Sequence, residues 1–502
     1  MKLVDKGIIN VIAKSSEAFL LLASSMIMVR YLTKAEYGTF LQFMLIVNTV
    51  IILSLMGLPS SIYYFYERTS ERYHLIKQSF WVSVGLGLFC GLIIYGLMSQ
   101  ISMWFNNPVL EEYSIIPLLL IFFHTPVTLR EAMLIANGNL ILNSIVTLIS
   151  NLFVYGVLII CVCNSFNIFE ILLGMVVTRF INFFVFIIII KSIKSKNSHS
   201  VDKRKAGRIS FKEQIYYSFP IGLSSYLGII GKQIDQYIIS VFFLPSDYVI
   251  YSRGAMRIPV LHSIQLTINN ILMPKYMRSY LDGDIKTFLT YYHRSIEMVA
   301  LIKFPVFAFL LAVAPTIITI LYTIEYIGAS SILRIYLILL VTGIAVYGII
   351  PRITAHTSLL LHQTAIFVST NIILSLILVY MWGPLGAAIA TIFSTIVGLV
   401  YVIIRSCRLI NISIRDIFPW NYLGRLFLVS ILASLPIYIL NNIYQTLNIP
   451  LFVIFFIDMV IYAYLFLVMI TRLDLLNNDV LDILQRWFRF DVNRWLRRLA
   501  FL

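Results

Sequence analysis

Apolar stretches of membrane-crossing length recur along the whole chain, separated by short polar breaks. Spanning hydrocarbon takes about 20 predominantly apolar residues at a rise of 1.5 Å each. Fourteen stretches meet that ruler, near 8–29, 37–63, 79–99, 113–136, 141–163, 168–190, 214–243, 248–273, 295–323, 329–351, 359–381, 385–404, 424–441 and 449–471. The pattern then changes. Leu476, Val480, Leu484, Trp487, Trp495 and Leu499 recur at helical spacing, with Asp474, Asp479 and Asp482 early and five arginines late. That order complements a helix dipole and predicts an amphipathic helix for the membrane interface or a partner.

The polar breaks carry an orientation. With the N-terminus placed in the cytoplasm, 28 of the 38 Lys and Arg fall in cytoplasmic segments and two, Arg30 and Lys34, in external ones. Cytoplasmic loops attract Lys and Arg, so this asymmetry predicts that both termini are cytoplasmic. The longest polar stretch, Lys191–Glu213, holds eight of these bases and reads as a basic linker beside an anionic leaflet. Every external loop is short.

Composition agrees with a polytopic all-α membrane protein: 60% of residues are hydrophobic and 12% charged, against about 25% charged in ordinary soluble domains. The net charge of +15 is accounted for by the cytoplasmic loops, which removes the usual case for nucleic-acid binding. Cys90, Cys161, Cys163 and Cys407 have neither metal-ligand nor disulfide-framework spacing. The histidines are scattered and form no zinc signature. No metal or cofactor is expected, and catalytic carboxylate clusters are absent.

An internal repeat divides the chain. Leu32-Thr33-Lys34-Ala35-Glu36-Tyr37-Gly38-Thr39-Phe40 joins the first span to the second, and Leu244-Pro245-Ser246-Asp247-Tyr248-Val249-Ile250-Tyr251 joins the seventh to the eighth, with Tyr37 and Tyr248 separated by 211 residues. Both copies enter from the cytoplasm, so the repeat implies two parallel lobes related by an axis along the membrane normal. The expected organisation is an N-lobe at 1–190, a basic linker at 191–213, a C-lobe at 214–404, two extra spans in 405–471 and the amphipathic tail at 472–502.

The remaining eight bases lie inside spans: Lys14, Arg130, Arg179, Lys232, Arg253, Arg257, Lys303 and Arg334. An ionisable group in a membrane span is costly unless it faces protein or water, which makes it a functional candidate. Arg179, Arg257 and Lys303 fall near mid-membrane, and the others extend the set toward both faces. Such a ladder suits an anionic, lipid-linked substrate, because Arg grips phosphate oxygens through a planar fork of donors. The competing reading is ion pairing that fixes helix packing. Lys14 with Glu17, and Lys232 with Asp235, stand three apart on one helix face and admit both readings. Arg253 and Arg257 share a face and favour the cavity; Arg334 admits snorkelling to the surface. Glu17, Asp235, Glu297 and Asp458 are the candidate coupling sites for a proton or Na+. His124 reads as a packed polar residue.

These residues resemble the polysaccharide-transporter branch of the MOP flippase superfamily, which includes Wzx-type O-antigen flippases. Leu32–Phe40, the corner from Asp235 through Tyr248 and Tyr251, Pro274, and Gly383-Pro384-Leu385-Gly386-Ala387-Ala388-Ile389-Ala390-Thr391 carry the resemblance. Val249 departs from it, since the family often has Gly there. The resemblance implies a V-shaped pair of lobes working by alternating access. It also implies an undecaprenyl-pyrophosphate-linked O-antigen or exopolysaccharide repeat unit as substrate, a bacterial inner-membrane location, and a polymerase and chain-length regulator as neighbours. The alternatives are a MATE-type multidrug cation antiporter, a lipid II flippase and, in a different class, a membrane enzyme that builds glycans. A base-rich interior disfavours the first, and short external loops disfavour the last.

Overall fold

A computed structural model describes residues 3–196, 209–256, 258–444 and 449–475. The described residues form helices and loops, and helix covers each of the fourteen apolar stretches. In the first half these are α1 (Leu3–Tyr31), α2 (Lys34–Ser54), α3 (Leu58–Tyr66), α4 (Arg72–Trp104), α5 (Val109–Glu112), α6 (Ile115–Val127), α7 (Arg130–Ala136), α8 (Leu140–Cys163), α9 (Ile168–Lys196) and α10 (Phe211–Phe242). The second half holds α11 (Pro245–Gly254), α12 (Pro259–Leu281), α13 (Ile285–Tyr322), α14 (Ala329–Thr342), α15 (Ile349–Ile353), α16 (Ser358–Trp382), α17 (Pro384–Leu409), α18 (Trp420–Tyr444) and α19 (Leu451–Arg472). Among the described residues, ten helical segments are long and apolar enough to cross a membrane. The amphipathic tail, from Leu476 on, lies outside the described residues.

Four apolar stretches are broken helices. Pro126 sits in the last turn of α6, and the break at Thr128–Leu129 follows before α7 starts at Arg130. The α2–α3, α11–α12 and α14–α15 pairs are divided similarly. Breaks in hydrocarbon leave backbone groups that neighbouring protein must satisfy. Hydropathy averages over such breaks, which is why the sequence reads each pair as one span.

The motifs of the repeat have visible physical work. In the first corner, Thr33 and Glu36 form a reciprocal capping box that starts α2. A Cβ on Gly38 would lie 1.9 Å from the carbonyl oxygen of Pro245. The first corner therefore touches its own repeat copy, backbone to backbone, and only glycine allows that approach. The Gly383–Thr391 motif opens the hairpin between α16 and α17. Gly383 has φ 60°, and a Cβ on Gly386 would lie 2.0 Å from the carbonyl oxygen of Leu378.

Two compact units divide the chain, Met1–Val249 and Ile250–Leu502. This division differs from the lobe boundary that the repeat implies, because α10 packs with the first unit. Its Gln214 is fully buried and bridges two helices, donating to Ser61 Oγ at 3.0 Å and Ser79 Oγ at 2.6 Å. Gln78 donates to the Gln214 side-chain oxygen at 2.9 Å. Further along, Thr49 Oγ1 meets Gln233 Oε1 at 2.6 Å. Around α3, α4 and α7 the first unit is sealed by Leu58, Ile62, Tyr66, Met133 and Phe186. The second unit is built on α13, which packs against α12, α14, α18 and α19.

Candidate functional site

The intramembrane bases separate into two settings. In the first unit, α6 to α9 and α1 bring Arg130, Arg179, His124, Tyr155 and Glu17 into mutual electrostatic reach. Arg130 begins α7 and is half-buried. Its Nη1 donates to Ser150 Oγ at 3.1 Å and its Nη2 to Thr147 Oγ1 at 3.2 Å, both on α8. The third guanidinium nitrogen, Nε, is buried with no partner among the described residues, as are His124 Nδ1 and Asn151 Nδ2. Arg179 comes from the middle of α9, with Tyr155 and Glu17 as its charged or ionisable neighbours. Glu131, next to Arg130 in sequence, also acts on Tyr63 of α3.

Sequence reasoning found the two arginines and Glu17 here and read His124 as a packed polar residue, but missed the polar groups of α8. The signal was present. Asn143, Thr147, Ser150, Asn151 and Tyr155 recur three and four residues apart in an otherwise apolar span. That spacing puts them along one face of α8.

The second unit treats its bases differently. Lys303 lies on α13 and is 5% exposed. Its ammonium donates to Gln265 Oε1 on α12 at 2.6 Å and to the carbonyl of Gly343, the residue that ends α14. A cation at a helix C-terminus meets the negative end of the dipole. The polar line continues below it: Asn269 Nδ2 donates to the Gln265 carbonyl at 2.9 Å, and Ser295 Oγ donates to Asn269 Oδ1 at 3.0 Å.

Arg253 closes α11, its guanidinium 5.9 Å from the centre of the Tyr322 ring. Arg334 on α14 is half-buried, with Nε 3.4 Å from the Leu311 carbonyl. No described contact joins Arg253, Lys303 and Arg334. Arg257 and the side chains of Lys14 and Lys232 lie outside the described residues.

The candidate coupling acids are dispersed. Glu17 is exposed on α1 and Glu297 half-buried on α13. Asp235, on α10, is 2% exposed and accepts from the Gln236 N–H at 2.9 Å. Asp458 is fully buried in the stripe Ile454, Asp458, Tyr462, Phe466 and Ile470, the face of α19 that packs on α13 and α18.

Comparison with known proteins places this geometry. The sequence profile of a family described as "Polysaccharide biosynthesis protein" matches residues 27–331. The chain belongs to that family. Similar folds are those of solved MOP superfamily transporters. The lipid II flippase MurJ, in an inward closed conformation, shares 17% identity, covers 93% of this chain and 98% of its own, and gives a TM-score of 0.69. An inward-facing MATE multidrug transporter shares 14% over 79% of this chain and 96% of its own, with a TM-score of 0.61. A MOP superfamily transporter from Pyrococcus furiosus, titled for the reverse polarity of its binding pocket, shares 16% over 81% and 95%, with a TM-score of 0.53. No curated protein matches the chain. The chain is thus a member of the polysaccharide-biosynthesis family with the fold of these transporters, and among its described residues ten helical segments are long and apolar enough to cross a membrane.

Proposed function

We propose that this protein is a flippase that moves an undecaprenyl-pyrophosphate-linked O-antigen or exopolysaccharide repeat unit across the bacterial inner membrane. Transport runs from the cytoplasmic to the periplasmic leaflet by alternating access, with both termini cytoplasmic and a proton or Na+ as the coupling ion. The observation that carries this reading is the pair Arg130–Arg179 inside the helical bundle of a polysaccharide-biosynthesis family member. A lipid-linked diphosphate cannot cross hydrocarbon with bare charge, and guanidinium groups replace its hydration with directed donors. The lipid tail stays in the bilayer while the head group travels within the protein. Glu17, beside Arg179, and buried Asp235 are the acids best placed to exchange an ion with the substrate's charge.

The test is genetic and then biochemical. Deleting the gene removes surface polysaccharide, and the wild-type gene restores it. Purified protein in vesicles then moves the host's extracted lipid-linked repeat unit across the bilayer. Retention of surface polysaccharide in the deletion strain contradicts the proposal. Loss of viability instead of polysaccharide would move the substrate to the peptidoglycan precursor. Efflux of cationic drugs without polysaccharide loss would favour a multidrug antiporter.

A further inference from the structure

A cavity of about 460 Å³ opens where α3 ends and α10 begins, lined by Tyr64, Phe65, Ile209, Glu213, Tyr216 and Tyr217. That volume falls within the range of small-ligand sites. All of its lining belongs to the first unit. The helices that form its walls are locked together. Gln214, next to Glu213, bonds to Ser61 on α3 and Ser79 on α4. One turn further on, the Ser218 carbonyl lies so close to Gly57 that a Cβ there would sit 2.3 Å from its oxygen. The aromatic lining is ordered as well. Tyr64 and Tyr217 stack at 4.2 Å and 19°, and Phe65 meets Tyr217 edge-on at 5.4 Å and 67°. The Arg68 guanidinium covers the Tyr64 ring at 3.8 Å and donates to its hydroxyl. With Tyr217 on one face of that ring, Arg68 takes the other. Tyr216 keeps 85% of its surface exposed. Glu213 Oε2 accepts the Ser210 N–H at 2.9 Å, and the Ser210 hydroxyl accepts the Glu213 N–H at 3.2 Å. The capping box that starts α10 therefore also fixes the carboxylate.

These groups select a ligand by elimination. The carboxylate repels an anion. A cation would meet Arg68 already seated on the Tyr64 ring. An acyl chain would strip water from a carboxylate and phenol hydroxyls and give nothing in return. A neutral sugar ring suits every group: its C–H face packs on an aromatic ring, and its hydroxyls donate to the carboxylate and accept from Arg68. An aromatic belt is the plainer account of tyrosines at the end of a span, yet a belt needs neither a cavity nor a carboxylate within it. We propose that this cavity is a carbohydrate-binding subsite that stacks a neutral sugar ring on Tyr216 and bonds its hydroxyls through Glu213. Tyr64, Phe65 and Tyr217 supply its rigid wall. The Lys and Arg asymmetry predicts that this end of α3 and α10 faces the cytoplasm, the side from which the proposed function draws its substrate. The inference rests on that reading for the origin of the sugar, the head group of the lipid-linked repeat unit as it loads.

The test uses the purified full chain in a detergent without a sugar head group. The probe is the repeat-unit oligosaccharide, released from the host's lipid carrier by mild acid, and tetramethylammonium is the cationic control. Binding is read by saturation-transfer NMR on wild type, Tyr216→Ala, Tyr216→Phe and Glu213→Gln. Wild type is expected to bind the oligosaccharide, with the strongest transfer to the C–H protons of one ring face. Its Kd is expected to rise about fivefold in Tyr216→Ala and to hold in Tyr216→Phe, which retains the ring. Glu213→Gln preserves a capping box and should raise Kd about fivefold, as a charged acceptor becomes a neutral one. Tyr216 is exposed, so its variants should melt with wild type, which separates lost binding from lost folding. No oligosaccharide binding to wild type, or equal Kd values in wild type and Tyr216→Ala, overturns the proposal and leaves these rings to the membrane interface. Tetramethylammonium binding that Glu213→Gln abolishes, with no oligosaccharide binding, would make the cavity a cation cage and overturn it too. The deletion strain keeps the two claims apart. If that strain loses surface polysaccharide and wild type binds no oligosaccharide, the subsite is wrong and the flippase reading stands. If the strain keeps its polysaccharide while the oligosaccharide binds with this variant pattern, the subsite stands and the flippase reading fails.

Discussion

Among the described residues, the Arg130 cluster of the first unit and Lys303 of the second differ in what surrounds the charge. Lys303 in the second unit has neutral acceptors in place: the Gln265 side chain and the Gly343 carbonyl that ends α14. The cluster around Arg130 in the first unit leaves a charged donor over: Arg130 Nε is buried and without an acceptor among the described residues. A satisfied buried charge can be a structural element, because its desolvation is offset by fixed dipoles. An unsatisfied one is a standing cost that a ligand can relieve. Both sites look alike in sequence, a lone base in an apolar span, and only the company each keeps distinguishes them.

This contrast yields predictions of decreasing size. Arg130→Gln combined with Arg179→Gln should reduce transport by about 100-fold or more, since each charge-assisted hydrogen bond lost is worth about 1.5–3 kcal/mol. Surface polysaccharide per folded protein checks it. Lys303→Met should instead cost about 2–4 kcal/mol of stability by orphaning Gln265 and the α14 terminus, seen as a lower melting temperature with unchanged affinity for farnesyl diphosphate. Arg253→Ala with Arg257→Ala should lower transport by about tenfold, the worth of roughly one charge-assisted contact. A full transport rate in that variant would confine substrate handling to the first unit and sharpen the contrast. Asn151→Leu should gain up to about 1 kcal/mol of stability, read as a higher melting temperature, because it removes a buried donor without a partner among the described residues. Asp458→Asn should change transport by less than about twofold, because this nearly isosteric change lies in the packing face of α19.

The helices were legible because hydropathy and length suffice to mark apolar spans, and the bases inside them were legible for the same reason. The breaks were not. Nothing in the hydropathy of 113–136 announces that α6 ends at Val127 and that Arg130 restarts the chain as α7. Partners were also hidden, since Gln265 and Gly343 stand 38 and 40 residues from Lys303. The α8 stripe from Asn143 to Tyr155 was visible as spacing, yet its meaning required knowing that Arg130 lies opposite it. His124 read as a packed polar residue, and its place beside two arginines emerges only from the fold. The repeat identified the corners at Gly38 and Pro245 but not that they touch, nor that α10 is held to the first unit through Gln214.

The most direct test of the contrast compares two variants in one assay. Arg130→Gln/Arg179→Gln and Lys303→Met are reconstituted beside wild type in vesicles carrying the extracted lipid-linked repeat unit. Flipping is then timed well below the lower melting temperature. The account predicts a rate near 1% of wild type or less for the arginine pair, and within about twofold of wild type for Lys303→Met. A near-normal rate for the arginine pair together with a collapse for Lys303→Met would contradict it, and would move the substrate's charge to the second unit.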